Sequence, residues 1–343
     1  MKVAELAAPH DFRLVEGQIP PPGPGEVQAR VRAVGICGSD MHYYSEGLIG
    51  DIPCQYPMVL GHEPTGEISA LGPGVSGWSI GDRAVLEPAV YCYHCEFCLT
   101  GHHNVCQQIR FLSMPGDPGF FREYVNLPLT NVLPMPAELS FEQNTLFEPL
   151  AIALHSMKFA RVQTGGTAAV YGCGPIGLVT IAVLKLSGAR RIFAVEPVAA
   201  RRELALAMGA AVAIDPTSAD PVEVVKRDTA GRGVDVSIDC AAKPGTINQC
   251  IRSTRNAGRV AVTGISSEPQ VAIDIHVMRR NEIHLFNVRR SNHETEAGLA
   301  LLREHPKFFG PLVTHSRPID RIDEAFRIVE GYADGVGKMV VTL

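Results

Sequence analysis

The sequence has no apolar run long enough to cross a bilayer. Its longest hydrophobic stretches are cut by Gly, Lys or Arg well short of the roughly 20 residues a spanning helix needs, so no membrane partner is expected. It also lacks an excess of positive charge. Lys and Arg number 31 against 36 Asp and Glu, a net charge of −5, which argues against nucleic acid as a partner because phosphate binding relies on clustered cations. The opening MKVAELAAPHDF lacks the unbroken apolar core of a secretory signal, since Pro9, His10 and Asp11 interrupt it; the expectation is a cytoplasmic protein. Internal repeats and low-complexity tails are missing as well.

What is present suits a folded protein of two domains. The 343 residues are long for one domain, and 46% hydrophobic with 20% charged residues is ordinary for a globular chain. The first 150 residues read as β-rich. Val27 to Val34 alternates apolar and polar side chains after the turn-rich Pro20–Gly25, as a half-buried strand should. Pro64 to Leu71 and Arg83 to Leu86 are further strand candidates. From Thr167 to about Ile275 the character changes. Strand candidates Ala168–Tyr171, Arg191–Val195, Val234–Asp239 and Arg259–Thr263 alternate with the helix-like Leu178–Leu186 and Ala199–Met208. Such alternation predicts an α/β fold with a parallel, doubly wound sheet. The last sixty or so residues are mixed and close on a strand candidate, Gly337–Leu343.

Nine cysteines are present, and four of them, Cys92, Cys95, Cys98 and Cys106, form C-x2-C-x2-C-x7-C. A disulfide framework is not expected in a chain of this size without a signal. Four thiolates at this spacing can close around one tetrahedral zinc and leave no position open, which makes the site structural. Unrelated thiols and an iron–sulfur cluster are the alternatives. His94, His102 and His103 lie among these residues and read as surface side chains.

Upstream stand Gly35–Ile36–Cys37–Gly38–Ser39–Asp40–Met41–His42 and Gly61–His62–Glu63. Cys37, His62 and a carboxylate would make a zinc site with three protein ligands and room for water or substrate. Taken alone, Cys37 reads as a buried apolar thiol and His62 as a core or surface histidine, and only their sequence context changes this.

Gly172–Cys173–Gly174–Pro175–Ile176–Gly177 matches G-x-G-x-x-G between a strand candidate and a helix pattern, the context that a dinucleotide turn requires. Glycines there allow the tight turn, the approach of a pyrophosphate and close helix–strand packing, while the helix N-terminus offers amide donors. Glu196 ends the next strand, where a carboxylate can accept from ribose hydroxyls and repel a 2′-phosphate, favouring NAD over NADP. Arg201 belongs to the candidate cofactor set, and with Arg202 it opens the opposite possibility, since Arg can accept a 2′-phosphate.

Taken together, these motifs, with Gly66, Gly72 and Phe147–Glu148–Pro149–Leu150, resemble the zinc-containing medium-chain dehydrogenases over essentially the whole chain, most closely the sorbitol (polyol) dehydrogenase branch. The resemblance implies a GroES-like β-rich catalytic domain, residues 1–149 and 288–343, and a Rossmann NAD-binding domain, residues 150–287. It implies that Cys37 and His62 bind a catalytic zinc and that Asp40 orients His62. Glu148 would stand where the simple-alcohol branch has a cysteine, binding zinc directly or through water, with Glu63 able to exchange with it. Ser39 would take the hydroxyl proton, and His42 would pass it to solvent by way of the cofactor ribose. Tyr43, Phe111 and Arg289 would contact substrate. Arg290 replaces an expected aromatic, and a second cation there suggests a carboxylate on the substrate, so a sugar acid competes with a neutral polyol.

The expected activity is hydride transfer from a secondary alcohol of a polyol or sugar acid to NAD, by a homotetramer or homodimer. Threonine dehydrogenase-like oxidation of an amino alcohol is the alternative within the same class. A methyltransferase and a non-catalytic zinc-binding module are further alternatives, and neither explains Cys37, His62 and Glu148 together.

Overall fold

In the computed structural model, which describes residues 1–343, the alternating segment after the proline-rich turn becomes the strand Glu26–Gly35. It pairs antiparallel with Glu63–Leu71, Tyr124–Pro128 and Lys338–Thr342. The seven-stranded sheet runs Val132–Pro134, Arg83–Leu86, Glu63–Leu71, Glu26–Gly35, Lys338–Thr342 and Val313–Pro318, with Tyr124–Pro128 off this path. Val27, Ala29, Val31, Val34, Ile68 and Leu86 are buried in one core with Phe120, Phe121 and Phe326. This apolar area removed from water is the main force holding the unit together. The register sets Gly35 opposite both Glu63 and Val340. One strand therefore ends where two others begin, and Cys37, His62, Glu63 and Lys338 cluster at that point.

The second unit holds a parallel six-stranded sheet in the order Val212–Ile214, Arg191–Val195, Thr167–Tyr171, Val234–Asp239, Thr254–Val262, His284–Asn287. Numbered along the chain this is 3-2-1-4-5-6, the doubly wound dinucleotide-binding order. Helices Pro175–Leu186, Ala199–Ala207, Pro221–Asp228, Thr246–Ser253 and Ile275–Asn281 make the crossovers. The first three strands are almost wholly apolar inside, with Ala169, Tyr171, Phe193, Val195 and Ile214 in a single core cluster, as expected where both faces are covered.

The two compact units are Met1–Glu148 with Thr295–Leu343, and Pro149–Glu294. Pro149 and residues 288–294, expected with the first unit, group with the second. Val288 donates its amide to Val262 at 2.9 Å, and the Glu294 carboxylate accepts from His155 at 3.0 Å and pairs with Lys158. No helix is long and apolar enough to cross a membrane.

Candidate functional site

Cys37 caps the short helix Gly38–Met41, and the Asp40 carboxylate, one turn in, accepts from the Cys37 amide at 3.1 Å. This reciprocal cap fixes the loop that carries Cys37. The chain then tightens into a π-helical turn, His42–Glu46, ended by Gly47 in the left-handed region. His62 enters from the neighbouring strand end. Its Nδ1 stands 3.2 Å from Asp40 Oδ1, and its Nε2 lies 3.3 Å from Ser39 Oγ. With Nδ1 turned to a carboxylate, Nε2 is the nitrogen left to meet a metal.

Ligand atoms of Cys37, His62 and Glu63 all lie within 4.8 Å of one another. Burial works against a charged His62, yet the charges of Asp40 and Cys37 and their hydrogen bonds prevail and raise its pKa well above the ordinary value. Asp40 shows the converse. Burial pushes it up, but His62 and the amides of Cys37 and Gly61 bring its pKa down. Glu63 is 1% exposed and forms an ion pair with Lys338, also 1% exposed, whose Nζ donates to Ile36 O at 3.0 Å. Apart from Lys338, no donor reaches the Glu63 oxygens. Glu148 is buried too. Burial, followed by the opposing pulls of His62 and Glu63, lifts its pKa to about 7. Three buried carboxylates and a thiol thus share one lysine and one imidazole. Buried charge needs a partner, so the donor set calls for a further cation, and a thiolate, an imidazole and carboxylates suit zinc.

The four-cysteine lobe meets the same test. Cys92 and Cys106 sulfurs stand 3.5 Å apart, Cys92 and Cys98 3.9 Å, and Cys95 and Cys106 3.9 Å. A tetrahedron with Zn–S bonds of about 2.3 Å has edges of about 3.8 Å. The amides of Cys98 and Gln107 draw the Cys95 pKa down to about 6, favouring a thiolate, whereas burial pushes Cys98 up to about 12. His103 lies against the rings of Tyr91 and Tyr93 rather than among the sulfurs.

In the second unit Gly172 takes φ +88°, and a Cβ on Gly177 would lie 1.9 Å from the Gly172 carbonyl oxygen, so neither position admits a side chain. On Gly174 a Cβ would meet nothing closer than Arg201 Nη1 at 3.9 Å, which leaves an open cradle beside a cation. Pro175 begins the helix, where a missing N–H costs nothing. Glu196 accepts from the Cys173 amide at 2.7 Å and the Val198 amide at 3.0 Å. Its carboxylate is thereby fixed against the turn. Arg202 is occupied elsewhere, donating to the carbonyls of Glu196 and Pro197 and pairing with Asp215. The cradle suits a pyrophosphate, and the immobilised Glu196 suits a free ribose diol.

Residues 23–137 match the family described as alcohol dehydrogenase GroES-like domain, and residues 175–304 match zinc-binding dehydrogenase. Sorbitol dehydrogenase of Bacillus subtilis is 33% identical over 325 residues, 95% of this chain and 92% of that protein. The chain belongs to the zinc-containing medium-chain dehydrogenases. L-threonine 3-dehydrogenase of Pyrococcus horikoshii is 34% identical, covering 96% of this chain and 94% of its own. The crystal structure of L-idonate 5-dehydrogenase from Escherichia coli superposes with a TM-score of 0.91 at 27% identity, covering 100% of this chain and 98% of that one. The fold is α/β, with a GroES-like unit and a Rossmann unit, and the cofactors of this dehydrogenase are zinc and NAD.

The first unit brings together Cys37, Ser39, His62 and Glu63, with Glu148 buried beside the same charges. His42 is held by Glu46 at 3.1 Å. The Phe111 ring lies 5.5 Å from that of His62. Tyr43 is fully buried, and its hydroxyl donates to the Met114 sulfur at 3.6 Å. Arg289 is exposed in the second unit. Sequence reasoning passed over Lys338, which sits in a terminal strand with nothing local to mark it.

Proposed function

We propose that this dehydrogenase oxidises a secondary alcohol of a polyol or sugar acid and passes the hydride to NAD, at a zinc held by Cys37, His62 and a carboxylate. The observation that carries the reading is the convergence of Cys37, His62 and Glu63 within 4.8 Å, beside the buried and under-compensated Glu148. We give the third ligand to Glu148, directly or through water. Glu63 is near enough to exchange with it, yet Lys338 already pairs with Glu63, whereas on Glu148 burial outweighs the pulls of His62 and Lys338 and leaves its pKa raised to about 7. Bound there, zinc supplies a Lewis acid that eases loss of the substrate hydroxyl proton near neutral pH.

The chain's own groups do the rest. Asp40 holds the His62 ring so that Nε2 faces the ligand set. Ser39 Oγ, 3.3 Å from that nitrogen, receives the hydroxyl proton as it gives up its own towards His42. Glu46 holds His42 through Nδ1, which leaves Nε2 for exchange with solvent. Phe111 forms an apolar wall beside His62, and Tyr43, whose buried hydroxyl meets the Met114 sulfur, would need to turn that hydroxyl outward to bind a substrate hydroxyl. Gly172, Gly174, Pro175, Ile176 and Gly177 receive the pyrophosphate with Arg201, and Glu196 receives the ribose. Arg289 binds substrate, and with Arg290 beside it a carboxylate is a fitting group for the substrate to carry.

NADH formation, followed by absorbance, tests the proposal with sorbitol, xylitol, aldonates and threonine. Turnover of a polyol or aldonate well above threonine is expected. Preference for threonine would favour the amino-alcohol reading, to which the Pyrococcus relative gives weight. Cytoplasmic residence belongs to the same proposal and is supported by nine cysteines without a disulfide among them. So does assembly as a homotetramer or homodimer, supported by the single-partnered edge strand His284–Asn287 and the exposed Val271, Ile273 and Ile275 nearby in the chain.

A further inference from the structure

Ser113 has no place in the machinery described so far, and its surroundings are unusual. It is 3% exposed, and its backbone takes φ +89°, a region that residues with a Cβ seldom occupy and hold only where their surroundings enforce it. The enforcement is visible. Arg110 Nε donates to Asp117 Oδ1 at 2.8 Å, the Ser113 amide donates to Asp117 O at 2.9 Å, and Met114 bridges to Asp117. The closed loop 110–117 presents three groups to the ligand loops. Phe111 lies against His62, the Met114 sulfur accepts from Tyr43, and Ser113 Oγ donates to Asp40 Oδ1 at 3.2 Å.

Asp40 Oδ1 is the oxygen that faces His62 Nδ1, and it also accepts from the Gly61 amide at 3.2 Å. Asp40 Oδ2 accepts from the Cys37 amide. The backbone donors tie the carboxylate to both ligand loops. The hydroxyl of Ser113 is the one side-chain donor that comes from outside them, and it fixes the rotation of the carboxylate in which Oδ1 meets the imidazole. We infer that Ser113 is a positioning residue for the catalytic zinc, acting through Asp40 on the orientation of His62, and that the strained backbone of loop 110–117 is kept to place its hydroxyl. The inference rests on the reading of Cys37 and His62 as zinc ligands.

Groups that orient a metal-bound imidazole typically change metal affinity by about 10- to 100-fold when lost. Zinc retention against a chelator, read as zinc per chain over time in purified holoenzyme, tests the role, with the lobe zinc of the same chain as internal reference. Ser113→Ala removes the hydroxyl. Ser113→Gly removes it and also relieves the backbone. Both variants are expected to lose the first zinc about tenfold faster than the parent, to keep the lobe zinc and NADH binding, and to show a lower kcat with KM for NAD unchanged. Parent-like zinc retention in both variants would overturn the role. So would retention restored in Ser113→Gly alone, because the backbone rather than the hydroxyl would then be responsible. Equal loss of both zincs would point to general unfolding and overturn it too. A parent that never holds a second zinc would instead overturn the metal reading itself, and this inference with it.

Discussion

At the scale of single residues, the site is a problem of buried charge. Asp40, Glu63 and Glu148 are all under 8% exposed, and only Lys338 and His62 offset them. Cys37→Ala should lower turnover on the order of a thousandfold, since Lewis-acid assistance contributes several kcal/mol at about 1.4 kcal/mol per decade. NADH binding, read by fluorescence, should persist, and retained turnover would remove Cys37 from the metal site. Glu148→Gln should reduce zinc occupancy of this site more than Glu63→Gln, measured by metal analysis after dialysis; the reverse order would give the third ligand to Glu63. In the second unit, Glu196→Ala should lower the preference for NAD over NADP by about 10- to 100-fold in kcat/KM, the worth of hydrogen bonds to a charged acceptor. An unchanged ratio would deny Glu196 its ribose role. Cys37, His62 and Glu196 were legible because each sits in a local pattern. Lys338 and Ser113 were not, because they reach the site from 302 residues after Ile36 and 73 residues after Asp40, and only the folded sheet makes them neighbours.

At the scale of elements, period and punctuation gave three of the six strands of the Rossmann unit to within a residue, and left the short Val212–Ile214 and His284–Asn287 unmarked. Ala168–Tyr171, Arg191–Val195 and Val234–Asp239 stand where apolar runs alternating with helix-like patterns predict them. The fifth strand runs Thr254–Val262 rather than starting near Arg259. Its first residues are polar, and tertiary bonds hold them extended, Thr254 Oγ1 donating to Ser237 Oγ at 2.8 Å. The helix after the glycine turn starts at Pro175, ahead of the expected Leu178, because proline is favoured in the first turn. The segment 288–294 hangs on Glu294. Burial acts to raise its pKa, but bonds from His155, Lys158 and the Asn292 amide bring it down to about 2 from an ordinary 4.5. A depressed carboxylate stabilises the fold above its unfolded pKa and loses that contribution as it is protonated. Stability should therefore fall as pH drops from 4.5 towards 2, and Glu294→Gln should flatten that part of the curve in denaturant titrations. An unaltered slope would mean the pairing does not survive in solution. The lobe makes a separate prediction. With Cys98→Ala, one zinc per chain should be lost and protease should cut between 92 and 106 while the rest stays intact, since short loops of this kind depend on their metal. Full zinc content in that variant would contradict the four-thiolate site.

At the scale of the molecule, the two units answer to different rules. The first is a mainly antiparallel sheet whose strand ends gather site residues from 37 to 338, so its site could be sketched from motifs but its charge balance could not. The second is a parallel sheet whose order alone places a nucleotide turn at the end of its first strand. A net charge of −5 argued against nucleic acid as a partner, and residues 175–304 match zinc-binding dehydrogenase. The account predicts two zinc ions for each active chain, one enclosed by thiolates and one with a position open to substrate. Anomalous diffraction at the zinc edge measures this directly. It should show one peak inside the four-cysteine lobe and a second at about 2.3 Å from Cys37 Sγ and about 2.1 Å from His62 Nε2. A single peak in the lobe of fully active protein, with none beside Cys37 and His62, would contradict the account.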